Sequence, residues 1–329
     1  MTWSLPHSDA VAKGDPALLN RLAWRSRWSS REKSEAYAKA ALKTAVATDT
    51  DSMKAPRGYA HLTLAWQTKW RGDFDASMAH SLDCETYLSE THHPECRGHI
   101  YSILGVLHYS RNRLDLAANS VERGLDLIDP DDHLEAYIDL LTTKATVQRY
   151  KGDSARSGLT LSRARDVATG AELARVEHNI ARSMMRDDDV LKGIGHAETS
   201  LELCEKHANR VIVPYTLEVL GAFHVALGDF TKAEEAFSDG LDVAIKDRDF
   251  RAQCQIIHRH AALEHARNDL ERARDLNRFG AQISKDMNYH LWSRDFALAL
   301  AGVYEDLGDL RKSVDAHKRA WRFEKARRT

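Results

Sequence analysis

A two-residue turn recurs seven times along the chain, at Gly72-Asp73, Asn112-Arg113, Gly152-Asp153, Asp188-Asp189, Gly228-Asp229, Asn268-Asp269 and Gly308-Asp309. The spacings are 40, 40, 36, 40, 40 and 40 residues. Two columns of small residues keep step with it. Seven positions before each turn stand Ala65, Gly105, Ala145, Ala181, Gly221, Ala261 and Ala301; five positions after it stand Ser77, Ala117, Ser157, Gly193, Ala233, Ala273 and Ser313. Small residues at fixed distances on either side of a turn let two helices approach to roughly 8–10 Å. One such pair cannot bury its own apolar face, so the units must stack. The chain is thereby constrained to an array of helix hairpins.

The stretch Tyr215 to Lys246 shows the unit most clearly. It reads as two amphipathic helices joined at Gly228-Asp229, with Gly221, Ala233 and Gly240 at the contacts. Leu217, Leu220, Leu227, Phe230, Phe237 and Leu241 are expected to fill the seam. The succession Leu217, Leu220-Gly221, His224, Gly228-Asp229, Ala233, Phe237, Gly240 resembles the tetratricopeptide repeat (TPR). The resemblance extends from about Arg57 to the end of the sequence. It implies an all-α, right-handed solenoid of antiparallel helix pairs, of a kind that binds peptides or proteins and does no chemistry itself. A 40-residue period, against a consensus of about 34, implies longer helices or longer connections.

Residues 1–16 read as a flexible arm. Residues 17–56 read as an atypical capping pair, Ala17–Arg27 and Ser34–Ala47, followed by a polar connector; residues 57–329 read as seven repeats. The fourth repeat has the short spacing and carries Gly193 and Gly195 in its second helix, so an irregularity is expected there. The last helix, Leu310 to about Arg328, is strongly basic. Its segment His317 to Lys325 resembles the helix that leads from an N-terminal TPR array into the catalytic module of bacterial diguanylate cyclases. That resemblance implies a sensory or dimerisation region; the sequence contains no GGDEF signature. Forty-residue arrays also occur in peptide-pheromone receptors that add a helix-turn-helix, for which the residues before Ala17 are too few.

The formal net charge of −2 gives no general attraction to nucleic acid or membranes. No apolar run approaches the ~18 residues of a membrane span, and the N-terminus lacks a secretion signature. Four cysteines suggest a reducing compartment, so a cytoplasmic protein is expected. No phosphate loop, HExxH, GxSxG or paired CxxC motif is present. The expectation is a non-enzymatic scaffold without cofactor. An adaptor and a sensory module remain the leading alternatives, ahead of a solenoid enzyme or nucleic-acid binder.

No metal site is expected. The segment His92-His93-Pro94-Glu95-Cys96, with Cys84 upstream, matches no zinc spacing, and His258 and His265 stand seven residues apart without an evident carboxylate partner. The TPR resemblance places ligands against the first helices of successive repeats. Carried onto this chain, it offers Tyr59, Trp66, Lys69 and Trp70, then His99 and Tyr109, then Arg149 and Tyr150. The later repeats offer Arg175, His178, Arg182 and Arg186, then His258 and His265. Spacing alone leaves Trp66 and Trp70 equally suited to the core. The arginines suit an acidic segment or a C-terminal carboxylate, which a guanidinium binds bidentately. Reversing Arg182 and Arg186 to Glu is therefore expected to abolish partner capture while leaving helicity and the melting temperature nearly unchanged. A protein or peptide partner, and a possible homodimer, complete the expectation.

Overall fold

The computed structural model describes residues 14–48, 50–88, 93–186 and 189–328, and among them contains sixteen α-helices and no strand. They fall into two compact units, Met1–Ala168 and Thr169–Thr329. The first unit holds α1 (Pro16–Ser26), α2 (Arg31–Thr48), α3 (Lys54–Arg71), α4 (Phe74–Leu88), α5 (Pro94–Ser110), α6 (Leu114–Leu127), α7 (Leu134–Tyr150) and α8 (Ser154–Val167). The second holds α9 (Gly170–Ser183), α10 (Val190–Lys206), α11 (Val213–Ala226), α12 (Phe230–Lys246), α13 (Phe250–Ala266), α14 (Leu270–Asp286), α15 (His290–Asp306) and α16 (Leu310–Arg328). Within each unit, sequential helices pair as hairpins, and first helices of adjacent hairpins touch: α1 with α3, α3 with α5, α5 with α7. Residues 1–13 of the expected arm, His92, and Asp187–Asp188 lie outside the described residues.

The recurrent turn has a local cause. Gly72, Asn112, Gly152, Gly228, Asn268 and Gly308 all adopt positive φ, between 59° and 88°. Glycine and asparagine tolerate that conformation best and stop the first helix there. Except at Asn112, which Arg113 follows, an aspartate comes next and caps the second helix. Asp229 accepts from the Lys232 backbone N–H, Asp269 from Arg272 and Asp309 from Lys312. In the second unit the connections between hairpins use the same device, with positive φ at Ala208, Arg248 and Asn288. Helices α12 to α15 are each 17 residues long. The long period in that unit therefore comes from long helices.

Both small-residue columns are buried. Ser77 Oγ donates to the Ala65 carbonyl and Ser157 Oγ to that of Ala145, each at 2.8 Å, so the two columns are also hydrogen-bonded. The seam differs from expectation. Phe237 is buried, but Leu227 and Phe230 are 51% and 42% exposed, because they flank the turn where the helices diverge from the core. Tyr215, Val219 and Phe223 fill the interior instead. Gly193 does not break α10, which runs unbroken through it. A Cβ there would lie 2.2 Å from the Phe223 ring, so the glycine makes room for that ring. The irregularity of this repeat falls in the turn, where Met184–Arg186 form a 3-10 segment. The cap begins one residue early: Asp15 accepts from the Ala17 N–H and Pro16 opens the helix.

Candidate functional site

In the N-terminal unit α1, α3 and α5 enclose a cavity of about 390 Å³. Each helix contributes one face. Ala17, Asn20, Arg21, Trp24 and Arg25 follow the i, i+3, i+4, i+7 spacing of a single helical stripe on α1. From α3 come Ala55, Pro56, Tyr59, Leu62 and Thr63, and from α5 come Glu95, Cys96 and His99. Small residues at Ala17 and Ala55 leave the space open. The walls are chiefly aromatic and aliphatic, while Arg21, Arg25 and Glu95 are exposed at the edge.

The polar groups in this cavity are few and specific. Asn20 is buried; its Nδ2 donates to the Pro56 carbonyl at 2.7 Å, and its Oδ1 has no hydrogen-bond partner. His99 is 1% exposed, and its Nδ1 lies 2.5 Å from Asp139 Oδ2. An ionised carboxylate only accepts, so Nδ1 carries a proton; Nε2 has no partner and accepts when the ring is neutral. Trp24 packs edge-on against the His99 ring at 4.7 Å and donates its Nε1–H to Glu135. Burial pushes the Tyr59 phenol up to about 12, with Cys96 and Glu95 adding to the effect, and its hydroxyl pairs with His93 Nδ1 at 3.0 Å. The cavity therefore suits an apolar body that carries a hydrogen-bond donor. A buried polar atom without a partner costs about 1–3 kcal/mol, so a ligand that satisfies Asn20 and His99 recovers part of that.

The other expected site residues group differently. Trp66 is 1% exposed and meets Trp28 of the capping region edge-on at 4.8 Å, which makes it core; Trp70 lies beside the same ring at 6.3 Å. Tyr109 and Tyr150 do come together, as a stacked pair at 5.3 Å with Arg149 over the Tyr150 ring. In the second unit Arg175 is buried and ion-paired to Glu172 at 2.7 Å, and His178 is buried beside Thr216 and Tyr215. Arg182 pairs at 3.3 Å with Glu218, whose side chain is 1% exposed; Arg259 and Gln255 hold the same carboxylate. Reversing the charge of Arg182 would thus set two carboxylates together, and the expectation of an unchanged melting temperature does not stand for that residue. The Arg186 side chain lies outside the described residues. His258 packs on Trp292 and Phe296, whereas His265 has the carboxylate partner that the sequence did not reveal, Asp306 at 2.6 Å.

Sequence reasoning placed Tyr59 and His99 in the groove and missed Asn20 and Trp24. One signal was available. Polar partners on adjacent hairpins sit about one period apart: His99 and Asp139 by 40 residues, Ser102 and Thr143 by 41, Arg182 and Glu218 by 36.

Two groups of His and carboxylate residues have the composition of a metal site but already hold a cation. Glu95, His99 and Glu135 cluster beside the cavity, with Arg27 2.8 Å from Glu135. Glu234, His260 and Glu264 cluster in the second unit, where Arg272 contacts both carboxylates. The cysteines are buried thiols: Cys84 and Cys96 touch at 3.7 Å, and burial pushes Cys204 and Cys254 up to about 12.

Among the described residues no helix is long and apolar enough to cross a membrane. No protein-family model matches the chain, nor does any curated protein. Solved structures do, and they define the class: a TPR-type array of helix hairpins. The chain is similar to a Rap protein complexed with Competence and Sporulation Factor, with TM-score 0.65 and 14% identity over 97% of this chain and 99% of that one. It is similar to the Rap conjugation gene regulator of plasmid pLS20 in complex with the Phr* peptide, with TM-score 0.66 and 13% identity over 95% of each chain. It is also similar to aspartyl phosphate phosphatase F from Bacillus subtilis, with TM-score 0.56 and 13% identity over 98% of this chain and 96% of that one.

Proposed function

We propose that this protein is a TPR-type scaffold that binds a peptide or protein segment, and that the cavity between α1, α3 and α5 seats an apolar side chain of that segment. The observation that carries the reading is a chiefly apolar cavity of about 390 Å³ whose lining includes Asn20 and His99, each with a buried polar atom, Oδ1 and Nε2, that has no partner. Such a site orients a ligand by a few polar groups and holds it by burial. The similarity in fold to a Rap protein in complex with the Phr* peptide supports a peptide as the occupant. In the second unit two guanidinium groups, Arg182 and Arg259, serve one carboxylate, Glu218, and Arg259 is 47% exposed; this favours an acidic stretch in the partner. A role in bacterial signalling is part of the proposal. The test is to select displayed peptides on the wild-type chain and measure their binding to Ala17→Trp, which fills the cavity from its exposed edge. Peptides that bind both forms equally contradict the reading.

A second reading has its own observation. Leu310, Val314 and Trp321 are 66%, 51% and 65% exposed, and with His317 they follow the i, i+4, i+7, i+11 spacing of a helix-pairing seam on α16. This favours a helix of a following module, as in a diguanylate cyclase-type signalling protein, or a second copy of the chain. Light scattering that stays at 37.1 kDa over a wide concentration range would exclude the homodimer.

A further inference from the structure

We propose that His61, His80 and Asp83 form a site for one divalent transition-metal ion of the zinc class, joining α3 to α4. His61 Nδ1 lies 3.0 Å from His80 Nδ1 and 3.4 Å from Asp83 Oδ2, and the three ligand atoms all fall within 4.8 Å of one another. With zinc–ligand bonds of about 2.0–2.2 Å, neighbouring ligands of a tetrahedral ion stand roughly 3.3–3.5 Å apart. The two shorter separations here are already close to that value.

Local structure explains the convergence. His80 and Asp83 are three residues apart on α4, so they share a face, and His61 reaches them from the facing helix α3. The His61 side chain is 9% exposed and the Tyr87 ring stacks on it at 5.6 Å, which fixes its orientation. Asp83 is 54% exposed, so the set opens to solvent on one side, where water or a fourth ligand completes the shell. Imidazole and carboxylate together suit zinc and its neighbours rather than calcium or magnesium.

The surrounding charge separates this cluster from the other two. Among the described residues Asp83 has an ion pair with His61 and none with an arginine or lysine. The charged groups acting on His80 are Asp83, Asp73 and Glu35 on the negative side and Lys39 on the positive side; Glu35 is taken up by Lys39 at 2.6 Å and by Arg71, which leaves Asp73 and Asp83 as the negative surplus. A cation here meets net negative charge, whereas the other clusters present a guanidinium to it.

The rival account is a plain hydrogen bond between two neutral imidazoles. Tag-free, metal-stripped full-length protein, titrated with Zn²⁺ by calorimetry and with Co²⁺ by visible absorption, separates the two. The proposal expects one ion per chain, a Co²⁺ spectrum of low coordination number and a raised melting temperature. His80→Gln and Asp83→Asn, which change partly or largely exposed side chains, should each weaken binding by at least about tenfold. Their metal-free melting temperatures should stay near wild type. No stoichiometric binding by the wild type, or equal binding by both variants, overturns the proposal.

Discussion

Glu218 is a buried carboxylate shared by Arg182 from α9 and by Gln255 and Arg259 from α13. Removing one arginine leaves the charge compensated by the other; removing both leaves it buried with a neutral amide. Arg182→Ala should cost about 1–3 kcal/mol in urea unfolding. Arg182→Ala with Arg259→Ala should exceed the sum of the single effects; strict additivity would show that Glu218 does not couple them. A second residue-scale effect is titration. Burial against Trp292 and Phe296 holds His258 below the usual histidine value of 6.5, and burial does the same for His260 and His108. The unfolded chain therefore takes up these protons more readily than the folded one. Stability is full above pH 6.5 and falls as the pH drops through 6.5 towards the folded-state values. Melting temperatures between pH 7.5 and about 5.5 should show this fall, and His258→Phe should flatten it; an unaltered slope in that variant would remove His258 from the explanation.

At the scale of the element, one positive-φ turn recurs within the hairpins and, in the second unit, between them as well. Where Gly228 provides the positive φ the chain meets little strain; at Ala208 the same conformation, φ 52°, is imposed on a residue with a Cβ. Ala208→Gly should therefore stabilise the protein by about 0.5–1 kcal/mol, and Gly228→Ala should destabilise it similarly, in denaturant unfolding. An Ala208→Gly variant no more stable than wild type would place the constraint elsewhere. This turn chemistry was legible in the sequence because it is local: a left-handed residue, an aspartate cap and two small contacts lie within about a dozen positions. The seam residues Leu227 and Phe230 were misjudged because hydrophobicity does not show where two helices splay apart beside a turn.

At the scale of the whole chain, stacked hairpins were legible from the 40-residue register, whereas the division into two compact units was not, since the break falls at an ordinary-looking link after Ala168. The candidate site was legible only in part. Tyr59 and His99 could be placed from the repeat register, but the cavity is made by three helices, and two of its polar residues, Asn20 and His99, are 79 residues apart. Asp139, one repeat later, holds the Nδ1 of His99 and so sets the direction of its ring. Arg175 and Arg182 were hard to read for the converse reason, since their acidic partners, Glu172 one turn away and Glu218 on another helix, are not evident from the spacing of the arginines. The most direct test is the dissociation constant of a display-selected peptide for wild-type protein and for Ala17→Trp, measured by calorimetry beside their melting temperatures. A loss of at least about tenfold in affinity, roughly 1.4 kcal/mol, with matching melting temperatures is the predicted result. Equal affinity for the two proteins would contradict it.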